Sequence, residues 1–172
     1  MEKNFITNLK ETKIYKIFME VIPYIVILVI VLLIRIYLVT PIIVSGESML
    51  PTLDGGELMV LNKIDKIERF DIVVVDTGKE EIIKRVIAVP GETISCENGI
   101  IYINGHRQDE EYSRGITSDF EKIKLEDDEF FVMGDNREDS LDSRHMGPFK
   151  RTAIKGTAKL VLFPFSEIGF VE

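Results

Sequence analysis

Three short segments hold side chains of the types that make and break bonds. The first is Ser45-Gly46-Glu47-Ser48-Met49-Leu50-Pro51-Thr52-Leu53. Ser48 sits between a glycine and a proline, on an irregular turn where a hydroxyl and a backbone N–H can both face a substrate. An ordinary polar turn has the same composition. The second segment is Ile82-Ile83-Lys84-Arg85-Val86-Ile87-Ala88-Val89. In a strand, Lys84 shares a face with Ile82, Val86 and Ala88. Apolar neighbours desolvate an amine and lower its pKa, and an amine that is neutral near roughly pH 7 to 8 can act as a general base. Arg85 faces the other way, among Ile83, Ile87 and Val89, so the pattern leaves open which cation is buried. A salt bridge from Lys84 to Glu80 or Glu81 is the structural alternative. The third segment runs from Met133-Gly134-Asp135-Asn136-Arg137 through Ser140-Leu141-Asp142-Ser143-Arg144. It reads either as a solvated loop or as a polar network that braces a site.

Metal chemistry fits these residues poorly. Cys96 is the single cysteine, and the two histidines, His106 and His145, are far apart. That excludes a disulfide framework within the chain and a cysteine-built zinc site, and disfavours a histidine site. Asp135, Asn136 and Asp139 offer oxygens for calcium, but the spacing lacks the EF-hand pattern and its closing glutamate. With 21 basic against 29 acidic residues, and a net charge of -8, the chain is not a nucleic-acid binder, which needs clustered Lys and Arg. A hydrophobic share of 45% with 29% charged residues excludes both a disordered chain and a polytopic membrane protein. The 172 residues suit one compact domain with an appendage.

The elements that must position the three segments follow from hydrophobic patterning. From Val21 to Val44 the only charge is Arg35, and Pro23 is expected in the first helical turn. At about 1.5 Å per residue such a helix crosses a hydrocarbon core of about 30 Å, with Arg35 snorkelling toward the outer interface. An amphipathic lead-in from near Phe5 is compatible with the pattern. Lys3, Lys10, Lys13 and Lys16 precede the span and no Lys or Arg occurs between Thr40 and Asn62, so the N-terminus is expected in the cytoplasm and the rest outside. A cleaved signal sequence ending near Ser45 or Gly46 and a buried core helix are the alternatives, the first disfavoured by the length of the run and the second by its lack of a polar face. The expected organisation is a cytoplasmic segment 1–20, a transmembrane helix and exit 21–44, and an extracytoplasmic catalytic domain 45–172. Residues 1–44 carry a net +2, which leaves -10 on that domain.

The outer domain reads as all-β. β-Branched runs at 58–61, 71–75, 81–89, 93–96, 100–103, 129–133 and 157–163 alternate with turn signals, including the hairpin dipeptides Asn98-Gly99 and Asn104-Gly105. No helical period separates them, which disfavours a parallel α/β sheet. The polar, acid-rich stretch 107–128 is expected to be an exposed loop or a weak excursion.

Taken together, the apolar span, Ser48-Met49-Leu50-Pro51-Thr52-Leu53, Lys84-Arg85-Val86-Ile87-Ala88-Val89-Pro90-Gly91-Glu92 and Gly134-Asp135-Asn136-Arg137 through Arg144 resemble the type I signal peptidases. These are membrane-bound Ser-Lys proteases, and the chain resembles their compact Gram-positive form along its whole length. The resemblance implies a mainly β catalytic domain of antiparallel sheets behind one N-terminal transmembrane helix, no cofactor and no metal. It implies signal-peptide-bearing preproteins and a lipid bilayer as partners. By position it makes Ser48 the nucleophile, Lys84 the general base and Ser140 the residue that orients the lysine amine. Asp142 and Arg144 become a supporting ion pair, and Ile42, Val44, Met49, Leu53, Ile82 and Ile83 contact substrate. A Ser-Lys dyad needs no histidine provided the lysine is kept neutral. One departure is Gly46, where Gram-negative members carry a serine that serves the oxyanion; the Ser48 N–H is then the surest donor. The resemblance implies cleavage of exported preproteins after small-x-small sites. A specialised relative acting on one precursor, and an inactive membrane-tethered β module, are the competing readings. The presence of both Ser48 and Lys84 weighs against the second.

Overall fold

The computed structural model describes residues 13–171. A helix, Lys13–Tyr37, is followed by strands grouped in two sheets. The proposed lead-in near Phe5 lies outside the described residues. The helix carries Pro23 in its interior and not in the first turn, where the ring forgoes one backbone hydrogen bond. Residues Tyr15–Tyr37 are long and apolar enough to cross a membrane. The chain divides into two compact units between Leu38 and Val39.

The helix ends at Tyr37, and the segment expected as its exit to Val44 is largely strand. Val39–Ile43 forms the first strand, β1, whose register pairs Val39 with Asn62 and Ile43 with Leu58. The larger sheet contains β1, β2 (Leu58–Asn62), β3 (Ile72–Asp76), β4 (Glu81–Ala88), β9 (Glu129–Met133), β10 (Phe149–Lys150), β11 (Ile154–Phe163) and β12 (Gly169–Phe170). Its order is β1-β2-β11-β3-β4-β9-β10, with β12 beside β11. The smaller sheet has the order β7-β6-β5-β8, from β5 (Thr93–Glu97), β6 (Ile100–Ile103), β7 (His106–Arg107) and β8 (Phe120–Lys124). Every ladder is antiparallel.

The two Asn-Gly pairs make the hairpins their chemistry predicts. Asn98 and Gly99 have φ of 54° and 75°, and Asn104 and Gly105 have φ of 52° and 80°. Two consecutive positive φ values match the right-handed twist of the flanking strands. The acid-rich stretch is not wholly loop: β8 pairs with β5, Thr93 opposite Lys124 and Cys96 opposite Phe120. Phe120 stacks on Phe131 at 5.3 Å between centroids, which covers the apolar face that an isolated loop would leave wet.

Three apolar clusters hold the domain, and β4 enters each. Ile83 packs against Val44, Met49, Leu53, Met59 and Ile72. Ile82 and Val86 join Val73, Val75, Phe130 and Val132. Ile87 and Ala88 meet Ile94, Ile101, Phe131 and Met133. A strand buried on both faces in this way gives Lys84 a rigid mount.

Candidate active site

The Ser48 turn is short and pinned from below. Leu50 N–H donates to Glu47 O at 3.1 Å and Leu53 N–H to Met49 O at 3.0 Å. Met49 and Leu53 are at most 1% exposed, and burying two such side chains contributes about 1.5–3 kcal/mol each. Gly46 enters the turn at φ +82°, a conformation that favours glycine. The Ser48 carbonyl accepts the Asn136 N–H at 3.0 Å, and Asn136 Nδ2 donates to Glu47 O at 3.2 Å. The Ser48 N–H makes no backbone hydrogen bond among the described residues.

Lys84 Nζ lies 2.7 Å from Ser48 Oγ and donates to Ile83 O at 2.9 Å. The lysine is 4% exposed. Burial pulls its pKa down to about 8, against the opposing pull of Asp142, Asp135 and Glu80. The sequence left open which cation of β4 is buried; the strand buries both, on opposite faces. Arg85 is enclosed, with its Nε and Nη2 on the two carboxylate oxygens of Asp135 at 2.9 and 2.7 Å and Nη1 on Phe70 O at 2.9 Å. Thr52 Oγ1 also donates to Asp135. Both carboxylate oxygens of Asp135 are thus engaged by Arg85.

The loop after β9 closes the back of the site. Asp142 caps the one-turn helix Ser143–Met146 and grips the Arg144 guanidinium at 2.9 and 2.8 Å. Burial works against the Asp142 charge, but Arg144 and the Gly134 N–H, 3.0 Å away, outweigh it and hold its pKa below the usual carboxylate value. Arg144 reaches on to Arg137 O at 2.8 Å. Ser140 is in the same loop; its buried Oγ is not bonded to the Lys84 amine, and it lies close enough to Asp142 to help hold that carboxyl down. Its contact with Gly134 is steric: a Cβ on Gly134 would fall 2.3 Å from Ser140 Oγ and 2.5 Å from Ser48 O. Gly134 is therefore the point where the two loops interlock.

A cleft of about 750 Å³ opens over Ser48 and Lys84. It is lined by Ile43 and Ser45, by Ile82 and Ile83, by the β3–β4 hairpin, and by Leu141, Met146 and Phe149. Of the residues expected to contact substrate, Ile82 and Ile83 line this cleft. Val44, Met49 and Leu53 do not line the cleft; they form the buried cluster behind it, with Ile42 partly covered against them. The strand period explains the placement: in β1 the even residues turn inward, and Ile43 with Ser45 faces the cleft. Two strand edges border this space. β9 pairs with β4 only from Arg85 onward, which leaves Glu81–Lys84 unpaired by strand on that side, and β1 ends the sheet. No group of His, Cys, Asp and Glu among the described residues is arranged to hold a metal ion.

A serine hydroxyl against a buried lysine of lowered pKa, beside an open strand edge, is the arrangement a Ser-Lys hydrolase requires. Residues 18–163 match the family "Signal peptidase, peptidase S26". A signal peptidase I of Bacillus amyloliquefaciens is 41% identical over 156 residues, 81% of this chain and 84% of that protein. Signal peptidase I S of Bacillus subtilis is 39% identical over 157 residues, 81% of this chain and 85% of that protein. The crystal structure of a signal peptidase I from Enterococcus faecalis superposes with a TM-score of 0.50 at 31% identity, over 55% of this chain and 97% of that one. The chain belongs to the signal peptidase family, peptidase S26.

Proposed function

We propose that this protein is a membrane-anchored serine endopeptidase that removes N-terminal signal peptides from preproteins, with Ser48 as nucleophile and Lys84 as general base. The observation that carries the reading is the 2.7 Å approach of Lys84 Nζ to Ser48 Oγ inside the cleft. A neutral Lys84 amine accepts the Ser48 proton as the oxygen attacks the scissile carbonyl carbon. Negative charge that develops on the carbonyl oxygen meets the Ser48 N–H. The Lys84 ammonium returns the proton to the departing amine, which becomes the new N-terminus of the mature protein. The amine of Lys84, neutral again, then takes a proton from water, and hydrolysis of the ester releases the signal peptide carboxylate and restores Ser48. The preprotein lies extended beside the free edge of Glu81–Lys84 and is read as an added strand. The helix Lys13–Tyr37 anchors the enzyme in the cell membrane, with residues before it in the cytoplasm and the catalytic domain outside. Incubation of the detergent-solubilised protein with a preprotein, beside a Ser48→Ala variant, tests the reading. The native protein should yield a single cut at the signal-peptide junction, and the variant none.

A further inference from the structure

The segment between β7 and β8 contains a cluster that the chemistry above does not use. Glu110 receives both Nη1 and Nη2 of Arg137, at 2.8 and 2.7 Å, and the Tyr112 hydroxyl at 2.9 Å. Arg137 Nη1 also donates to Thr117 Oγ1 at 2.8 Å, and its Nε donates to Gly134 O at 3.0 Å. The Tyr112 ring is a shared wall: the guanidinium carbons of Arg85 and Arg137 lie 4.3 and 5.9 Å from its centroid. Burial, with Glu110 beside it, keeps the Tyr112 hydroxyl protonated, so it remains a donor. Burial disfavours the Arg137 charge, yet Glu110 more than compensates and the guanidinium stays charged. The backbone follows the same path. Arg114 N–H donates to Asp135 O at 2.7 Å and Arg137 N–H to Arg114 O at 2.8 Å, a parallel bridge onto the catalytic loop.

We propose that Glu110 is a positioning residue for the reaction: with Tyr112 it bolts Arg137, and through Arg137 the Gly134–Arg144 loop, against the Ser48 turn. This rests on the Ser48–Lys84 reading and extends it to a segment that touches no substrate. The path from Glu110 to the nucleophile is short. Arg137 holds the Gly134 carbonyl, Gly134 packs against the Ser48 carbonyl, and Asn136 donates to that same oxygen. Arg85, next to Lys84 in β4, is pressed by the ring that Glu110 orients. Loss of the Glu110 charge frees Arg137 to seek water and loosens both contacts at once. Lys84 is faced by Asp142, Asp135, Glu80 and Arg144. A looser loop admits water to the amine, favours its charged form and moves the acid limb of activity to higher pH.

The test compares Glu110→Gln with the native protein in detergent, with rates scaled to the folded fraction from thermal melting. We expect kcat to fall about tenfold or more with KM within about twofold, as for a misplaced catalytic group. We expect the acid limb of the pH profile to move up by about half a unit or more, which a loss of stability alone does not produce. Tyr112→Phe, which keeps the ring and removes only the bond to Glu110, should show both changes in smaller measure, and it decides the matter where Glu110→Gln fails to fold. Unchanged kcat per folded molecule, or an unmoved acid limb, in the folding variant overturns the proposal. Ser48→Ala in the same assay separates the two readings. An active Ser48→Ala overturns the underlying mechanism, whereas an inactive Ser48→Ala with an unaltered Glu110 variant overturns the brace alone.

Discussion

Lys84 shows what the site costs the fold. In the unfolded chain its pKa is near 10.5, and burial lowers it to about 8. Between those values the unfolded chain binds a proton that the folded one does not, so stability rises with pH across that window. Below about pH 8 the penalty is fully present, on the order of 3 kcal/mol at 1.36 kcal/mol per pH unit. Lys84→Met, similar in volume and uncharged, should therefore raise the melting temperature at neutral pH while processing of a preprotein stops. The proposed mechanism sets a pH window for catalysis as well, because in it only the neutral amine accepts the Ser48 proton. Initial rates should climb about tenfold per unit below pH 8 and level off above it. An optimum in acid, with loss above neutrality, would contradict a lysine base. Nucleophile and base also act as a unit, so Ser48→Ala, Lys84→Ala and the double variant should show similar residual rates. A double variant far slower than either single one would count against the pairing.

Among the elements, the catalytic loop and the Ser48 turn are fitted at Gly134. An added Cβ must displace the Ser48 carbonyl, 2.5 Å away, which is backbone and cannot rotate aside. Gly134→Ala should cost about 1–3 kcal/mol, the usual range for overpacking, and reduce kcat at least tenfold. Thermal melting and initial rates of the purified variant measure the two effects. A rate unchanged per folded molecule would show that the turn can move without consequence. Sequence made part of this arrangement legible. β4 and β9 stood out by β-branched and aromatic runs, and the two Asn-Gly turns carried their own geometry. Other elements were hidden for physical reasons. β1 continues the apolar run of the helix, and a short apolar segment has no period that separates strand from helix. β8 reads Phe120-Glu121-Lys122-Ile123-Lys124, and its charges mask the two residues that pack inward. The bond between Glu110 and Arg137 spans 27 residues of sequence, and no local pattern announces a contact at that range.

For the whole molecule, anchoring and substrate choice are linked through one chain. The helix is long enough to cross a membrane, and in the proposed topology the lysines at its N-terminal end stay in the cytoplasm. Protease added to intact spheroplasts should therefore reach residues after Leu38 and leave those before Tyr15 protected. A C-terminal tag shielded from outside would reverse the orientation. Substrate choice follows from how a peptide can lie in the cleft. An extended strand docked beside Glu81–Lys84 points alternate side chains into the protein. That singles out positions -1 and -3 of the preprotein. The surfaces waiting there are Ile43, Ile82 and Ile83, and Ile83 is backed by the packed cluster of Val44, Met49 and Leu53. A close-packed interior cannot yield volume to a larger side chain, so this cluster should keep the Ile83 wall from retreating. Ile43, Ile82 and Ile83 carry no charge to meet Lys or Glu at -1, the charged Lys79, Glu80 and Glu81 lying on the β3–β4 hairpin, and burying an unpaired charge is expensive. Alanine should be favoured at both positions, with valine tolerated better at -3 than phenylalanine at -1. Initial rates on preproteins varied at those two positions provide the measurement. Efficient cleavage with Lys, Glu or Phe at -1 would refute this account of the cleft even with Ser48 and Lys84 proved essential, since the wall would then have to move.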